Sequence, residues 1–168
     1  KVDYQVDKEN IVGLGLSDKS FFAQSIEKIK KIDEEHENWY GLLIMLSNHT
    51  PFSDVDKYGE FPVDIVETIT NEQGVEEQIT YPYMEGTKLG NYFKSLHYAD
   101  SALGEFMAGL EANGLLEDTI VVIYGDHDAR LSRKDYEKLY NYNFDTKEFI
   151  DEDDENYGDV WFYEYEED

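Results

Sequence analysis

The stretch Thr119-Ile-Val-Val-Ile-Tyr-Gly-Asp-His127 decides how the chain is read. Its first six residues are β-branched or aromatic, the make-up of a short strand in a sheet, and they stop at a glycine followed by two polar, metal-competent side chains. A second apolar run, Trp39 to Leu46, ends in the same manner at Ser47-Asn-His-Thr-Pro-Phe52. Between the runs, Leu89, Tyr92, Phe93, Leu96, Ala99, Leu103, Phe106, Met107 and Leu110 recur every three or four positions, and Asn113-Gly114 closes the predicted helix. Upstream, Ser17-Asp18 precedes Phe21, Phe22, Ser25, Ile26, Ile29 and Ile32, which predicts a capped helix over Lys19 to Ile32. Helix, buried strand, helix, buried strand is the order of an α/β fold with a mainly parallel sheet flanked by helices, because consecutive parallel strands need a crossover. Trp39 to Leu46 and Thr119 to Tyr124 are therefore expected to be neighbouring parallel strands. One excursion interrupts them: Phe61 to Thr70 and Val75 to Tyr83 are β-prone, with Asn71-Glu-Gln-Gly74 as the turn of a β-hairpin.

Composition bounds what such a fold can do. At 168 residues the chain has room for one domain and one core, over residues 1–168, with an acidic, tyrosine-rich end segment over 135–168. Its 39 acidic and 14 basic residues give a formal charge of -25, which repels a phosphate backbone over most of the surface and excludes nucleic acid as a partner. Absence of cysteine removes disulfides, thiolate metal sites and a cysteine nucleophile. The longest apolar run is far too short to span a membrane, and the first residues carry no basic-then-apolar signal segment.

Strand-end positions give the polar residues their meaning, since open α/β sheets bind ligands beyond the carboxyl ends of their strands. Asp126 and His127 offer an oxygen and an imidazole nitrogen to one cation; the competing reading is a tight turn in which the aspartate caps backbone amides. His49 could donate to a phosphate oxygen or be satisfied by backbone, and Pro51 keeps the residue before it extended. Arg130 could meet a substrate anion or pair with nearby carboxylates. His97, beside the apolar stripe of the long helix, reads as packing, and Asp100 as structural. Asp153, Glu155, Gly158 and Glu164 have partial calcium-loop spacing, but Tyr157 stands where the fifth position needs an oxygen ligand. Trp161 to Tyr165 is a possible last strand.

Taken together, Ser47-Asn-His-Thr-Pro-Phe52, the helix from Gly90 to Leu110 with Tyr98-Ala-Asp100, and Thr119 to His127 resemble the lipoteichoic acid synthase family of phosphoglycerol transferases, within the sulfatase and alkaline phosphatase superfamily. The resemblance runs from about Gly13 to Arg130. It implies a partial sulfatase-like catalytic domain in which Asp126 and His127 are metal ligands and His49 lines the pocket for the substrate phosphate. It also implies one manganese or magnesium ion, held in addition by an early glutamate and a threonine nucleophile that lie before these motifs in family members. No catalytic nucleophile is then expected among these residues, and the 168-residue chain alone is expected to be inactive. The implied substrate is an anionic lipid headgroup or another phosphate or sulfate ester. The parent protein would be membrane-anchored, acting on the extracellular face of the bacterial cell membrane. Two other functions are consistent with the same residues: a phosphate or sulfate ester hydrolase of the same superfamily, and a noncatalytic acidic module that binds cations or partners.

Overall fold

Ser17 caps the first helix as its sequence predicts, its hydroxyl accepting the Ser20 amide at 3.3 Å. In the computed structural model, which describes residues 4–71, 73–81 and 84–151, two compact units are distinguished, 1–129 and 130–168. The first opens with a short 3-10 turn at Lys8–Asn10 and a two-residue hairpin, β1 (Ile11–Val12) with β2 (Gly15–Leu16), and leads into α1 (Asp18–Glu35). A one-turn helix follows, α2 (Val55–Tyr58). Then comes the hairpin of β3 (Ile65–Thr70) and β4 (Glu76–Tyr81), and the long α3 (Lys88–Ala112).

Each of these boundaries has a local cause. Asn71 Oδ1 accepts the amides of Gln73 and Val75, both at 3.0 Å, and Gly74 at φ +78° completes the turn between β3 and β4. Thr87 caps α3 by accepting the Gly90 amide at 3.0 Å. At the other end Gly114 takes φ +71°, so that the Leu115 amide returns to the Leu110 carbonyl at 2.9 Å.

The core lies between α1 and α3, where Phe22 and Phe106 stack with ring centroids 4.4 Å apart amid Ile29, Ala102, Leu110 and Leu115. Removing a fully buried aromatic ring leaves a cavity that this pair of helices cannot close. Phe106→Ala is accordingly expected to cost about 3–5 kcal/mol, read as a lowered urea midpoint at constant slope. A smaller cluster of Val12, Tyr58 and Tyr98 ties the β1–β2 hairpin to α2 and α3.

The mixed α/β class agrees with the sequence, but the pairing expected of the two apolar runs is not formed. All three sheets among the described residues are two-stranded and antiparallel, and neither Trp39 to Leu46 nor Thr119 to Tyr124 belongs to one. The first run alternates: Trp39, Leu43 and Met45 pack on the helical core, while Tyr40 (87 % exposed), Leu42 and Ile44 face solvent. In the second, Ile120 is 90 % exposed and Val122, Ile123 and Tyr124 are also open. A parallel sheet covers both faces of its strands; here α1 and α3 cover one face of the first run, and no described strand supplies a ladder to either.

The second unit is built on α4 (Arg133–Tyr140), which starts with a reciprocal capping box between Ser132 and Asp135. Asn141 in the left-handed conformation ends α4 and turns the chain into the short hairpin of β5 (Tyr142–Asn143) and β6 (Glu148–Phe149). Arg133 braces it, with Nε 3.0 Å from Glu137 Oε1 and Nη2 2.8 Å from Asp145 Oδ1, and these carboxylates raise the guanidinium pKa further. The calcium-like spacing of 153–164 and the strand expected at 161–165 lie outside the described residues.

Candidate functional site

His49 and His127, 78 positions apart in sequence, meet edge to face with ring centroids 6.2 Å apart. Both follow an apolar run, and both use the same local device. Nδ1 of His49 lies 2.8 Å from the Thr50 carbonyl, and Nδ1 of His127 lies 2.8 Å from the Asp128 carbonyl. A carbonyl only accepts, so each Nδ1 donates its proton there, and Nε2 is the ring nitrogen left for another partner. The two histidines expected at one sheet edge do lie together, although among the described residues no sheet pairs the runs that precede them.

Asp126 completes the local set. Its Oδ1 stands 3.7 Å from His127 Nε2, and both side chains are largely open, 72 % and 54 % exposed. Two donors each about 2.1 Å from one cation can be at most roughly twice that distance apart, so the two atoms lie within reach of a shared ion. A carboxylate oxygen beside an imidazole nitrogen is a donor pair that a divalent cation can take. Among the described residues no group of three or more His, Cys, Asp or Glu side chains forms a cage. Arg130 is exposed and opens the second unit, and is described with that unit.

The loop that carries His49 is anchored on every side. The Asn48 Oδ1 accepts from the buried Ser95 hydroxyl on α3 at 2.5 Å, and the His49 amide turns back to the Leu46 carbonyl at 3.2 Å. Phe52 is buried against Tyr92 with centroids 5.2 Å apart, although its backbone sits at φ 60°. That left-handed conformation costs a bulky residue about 1–3 kcal/mol, a strain that packing on α3 sustains.

Sequence reasoning missed the deepest anchor, Asp18. This aspartate is 1 % exposed; its Oδ1 accepts the amides of Leu46 at 2.9 Å and Ser47 at 3.2 Å, and its own amide donates to Ser47 Oγ at 2.8 Å. Burial raises its pKa, against the opposing pull of those hydrogen bonds. Nothing local marks it, because an acidic residue beside an N-cap looks like ordinary helix-start chemistry. Tyr58, whose hydroxyl reaches the Ser47 carbonyl at 3.5 Å, is pushed up to about 12 by burial and by Asp54. His97 stacks on Phe61 at 4.6 Å, a packing role as its position on the helix suggested, and Asp100 is exposed.

Comparison with known proteins gives these residues a context. The sulfatase family model matches residues 2–158. Lipoteichoic acid synthase 1 of Bacillus subtilis is 30% identical over 126 residues, covering 75% of this chain and 16% of that protein. Lipoteichoic acid synthase of Staphylococcus saprophyticus is 32% identical over 124 residues, covering 74% of this chain and 16% of that protein. Among solved structures, lipoteichoic acid synthase LtaP from Listeria monocytogenes superposes with a TM-score of 0.59 at 28% identity, over 80% of this chain and 29% of that one. The chain therefore spans well under a third of the length of the relatives it matches.

Proposed function

The chain belongs to the sulfatase family, and from that premise we propose that it is the part of a metal-dependent phosphoglycerol transferase that supplies two metal ligands and one phosphate contact. The observation that carries this reading is the meeting of His49 with the Asp126–His127 pair, 6.2 Å from ring to ring, in a chain similar to lipoteichoic acid synthases. Asp126 and His127 would hold one divalent cation, through the carboxylate and Nε2. When bound, such an ion lowers the pKa of a hydroxyl nucleophile and offsets negative charge on the attacked phosphoryl group. His49, with Nδ1 committed to the Thr50 carbonyl, has Nε2 available; protonated there, it donates to a non-bridging phosphate oxygen. The nucleophile would be a threonine outside the present sequence.

On this reading the donor is a membrane glycerophospholipid such as phosphatidylglycerol, the acceptor a growing glycerol phosphate polymer, and the site of action the extracellular face of the bacterial cell membrane. The protein would be anchored there; among the described residues no helix is long and apolar enough to cross a membrane. The test is transfer of labelled headgroup from phosphatidylglycerol by the complete enzyme, with metal analysis. Release of free glycerol phosphate to water instead of transfer would identify an ester hydrolase of the same superfamily. Neither reaction would leave a noncatalytic acidic module that binds cations or partners.

His49→Gln in the complete enzyme is expected to lower kcat/KM about 100-fold, the cost of losing one charge-assisted donor to the reacting group, with bound metal unchanged. An unaltered rate would remove His49 from the phosphate site.

A further inference from the structure

Leu46 and Ser47 sit at the end of a run that has no ladder partner among the described residues, so their amides need an acceptor from elsewhere. Asp18 Oδ1 provides it for both, and the Asp18 amide closes the loop by donating to Ser47 Oγ. Ser47 is fully buried at the centre of this clasp, and Tyr58 meets its carbonyl from the other side. Two residues further on is His49, whose own amide is bonded to the Leu46 carbonyl. The clasp therefore joins the first turn of α1 to the backbone from which His49 projects, at a distance of one tight turn.

We infer that Asp18 is a positioning residue: through its reciprocal clasp with Ser47 it fixes the His49 loop in the register that places the His49 ring against His127. Three features support this beyond simple packing. An apolar side chain of similar size would fill the volume but leave the Leu46 and Ser47 amides without this acceptor, at about 1–3 kcal/mol for the buried Ser47 amide. Asp18 Oδ2 has no hydrogen-bond partner, so one carboxyl oxygen carries the whole contact, and an asparagine can reproduce it. Burial already favours the uncharged carboxyl, which again makes the neutral amide a fair substitute.

The role assigned to His49 in catalysis rests on the proposed function, whereas its placement by Asp18 does not, and the experiment separates them. In the 168-residue chain, the nuclear Overhauser effect between the His49 and His127 rings reports the placement, with the ring-current shifts of Phe22 and Phe106 reporting the core. Asp18→Ala is expected to abolish the His49–His127 effect while the core shifts persist, and Asp18→Asn to preserve both. Should Asp18→Ala not fold, Ser47→Ala, which removes the Oγ acceptor and leaves the amides bonded, is expected to reduce the effect at least about twofold, given its steep distance dependence. Retention of the full wild-type effect in folded Asp18→Ala, or in Ser47→Ala, overturns the inference. In the complete enzyme, Asp18→Ala is expected to lower kcat/KM about 100-fold through misplacement, with rescue by Asp18→Asn. If His49→Gln proves fully active, the phosphate role of His49 fails, and the ring-to-ring measurement still decides what Asp18 does.

Discussion

Replacing either Asp126 or His127 with alanine in the complete enzyme is expected to remove nearly all turnover, a fall of more than about 100-fold, together with most of the bound metal. Partners that merely orient a metal ligand typically account for about 10–100-fold in affinity or activity, and loss of a ligand itself exceeds that range. The effect should be separable from stability. Both side chains are more than half exposed, neither lies in either hydrophobic cluster, and substitutions at such positions usually stay within about 0.5 kcal/mol. The discriminating result is therefore a pair of measurements: an unchanged urea midpoint with metal content and initial rate both collapsed. A variant that keeps wild-type metal and wild-type rate would return the pair to the alternative of a tight turn.

How much of this could be seen in the sequence depended on whether the cause was local. The Ser17 cap, the Asn71 turn and the Gly114 stop each depend on a few consecutive residues, and the helices and the hairpin fell near where those signals put them. The predicted helix over Lys19 to Ile32 runs on by one turn to Glu35, because charged residues continue a helix as readily as apolar ones. Sheet pairing is not local. An apolar run says that a segment favours burial but not which backbone will lie beside it, and the runs over 39–46 and 119–124 remain without a ladder among the described residues. Likewise the site's histidines could be found, because polar residues closing an apolar run are visible in one dimension. Asp18 could not, because its partners lie 28 and 29 positions away.

That difference bears on the two exposed apolar faces. Residues 40, 42, 44 and 120, 122, 123 would be destabilising on any ordinary soluble surface, yet the helical core beneath the first run is fully formed. The α1–α3 core packs against the other face of the first run, and the loop of His49 is held by Asp18, Ser95 and Phe52. Helices α1 and α3 thus supply the anchors of the His49 loop.

The 168-residue chain by itself is expected to bind manganese with a Kd of about 1 mM or weaker and to show no turnover on a glycerophospholipid. Affinity for a hard cation follows ligand number and the rigidity of the cage. Asp126 and His127 are two donors on one open turn, and among the described residues no third His, Asp or Glu joins them. Most of the coordination sphere would be water, and the ion would gain little over solution. The formal charge of -25 will attract manganese diffusely, so the site-specific part has to be read as a difference. Titration followed by paramagnetic broadening should affect the His49 and His127 rings at millimolar metal, and the Asp126→Ala, His127→Ala double variant should lose that broadening while bulk binding to other carboxylates persists. Lipid turnover by the 168-residue chain that disappears in His127→Ala would overturn the expectation. It would place the nucleophile and the missing ligands within this sequence, and the assignment of catalysis would then have to be rebuilt around the hydroxyl and carboxylate groups that share a surface with His127.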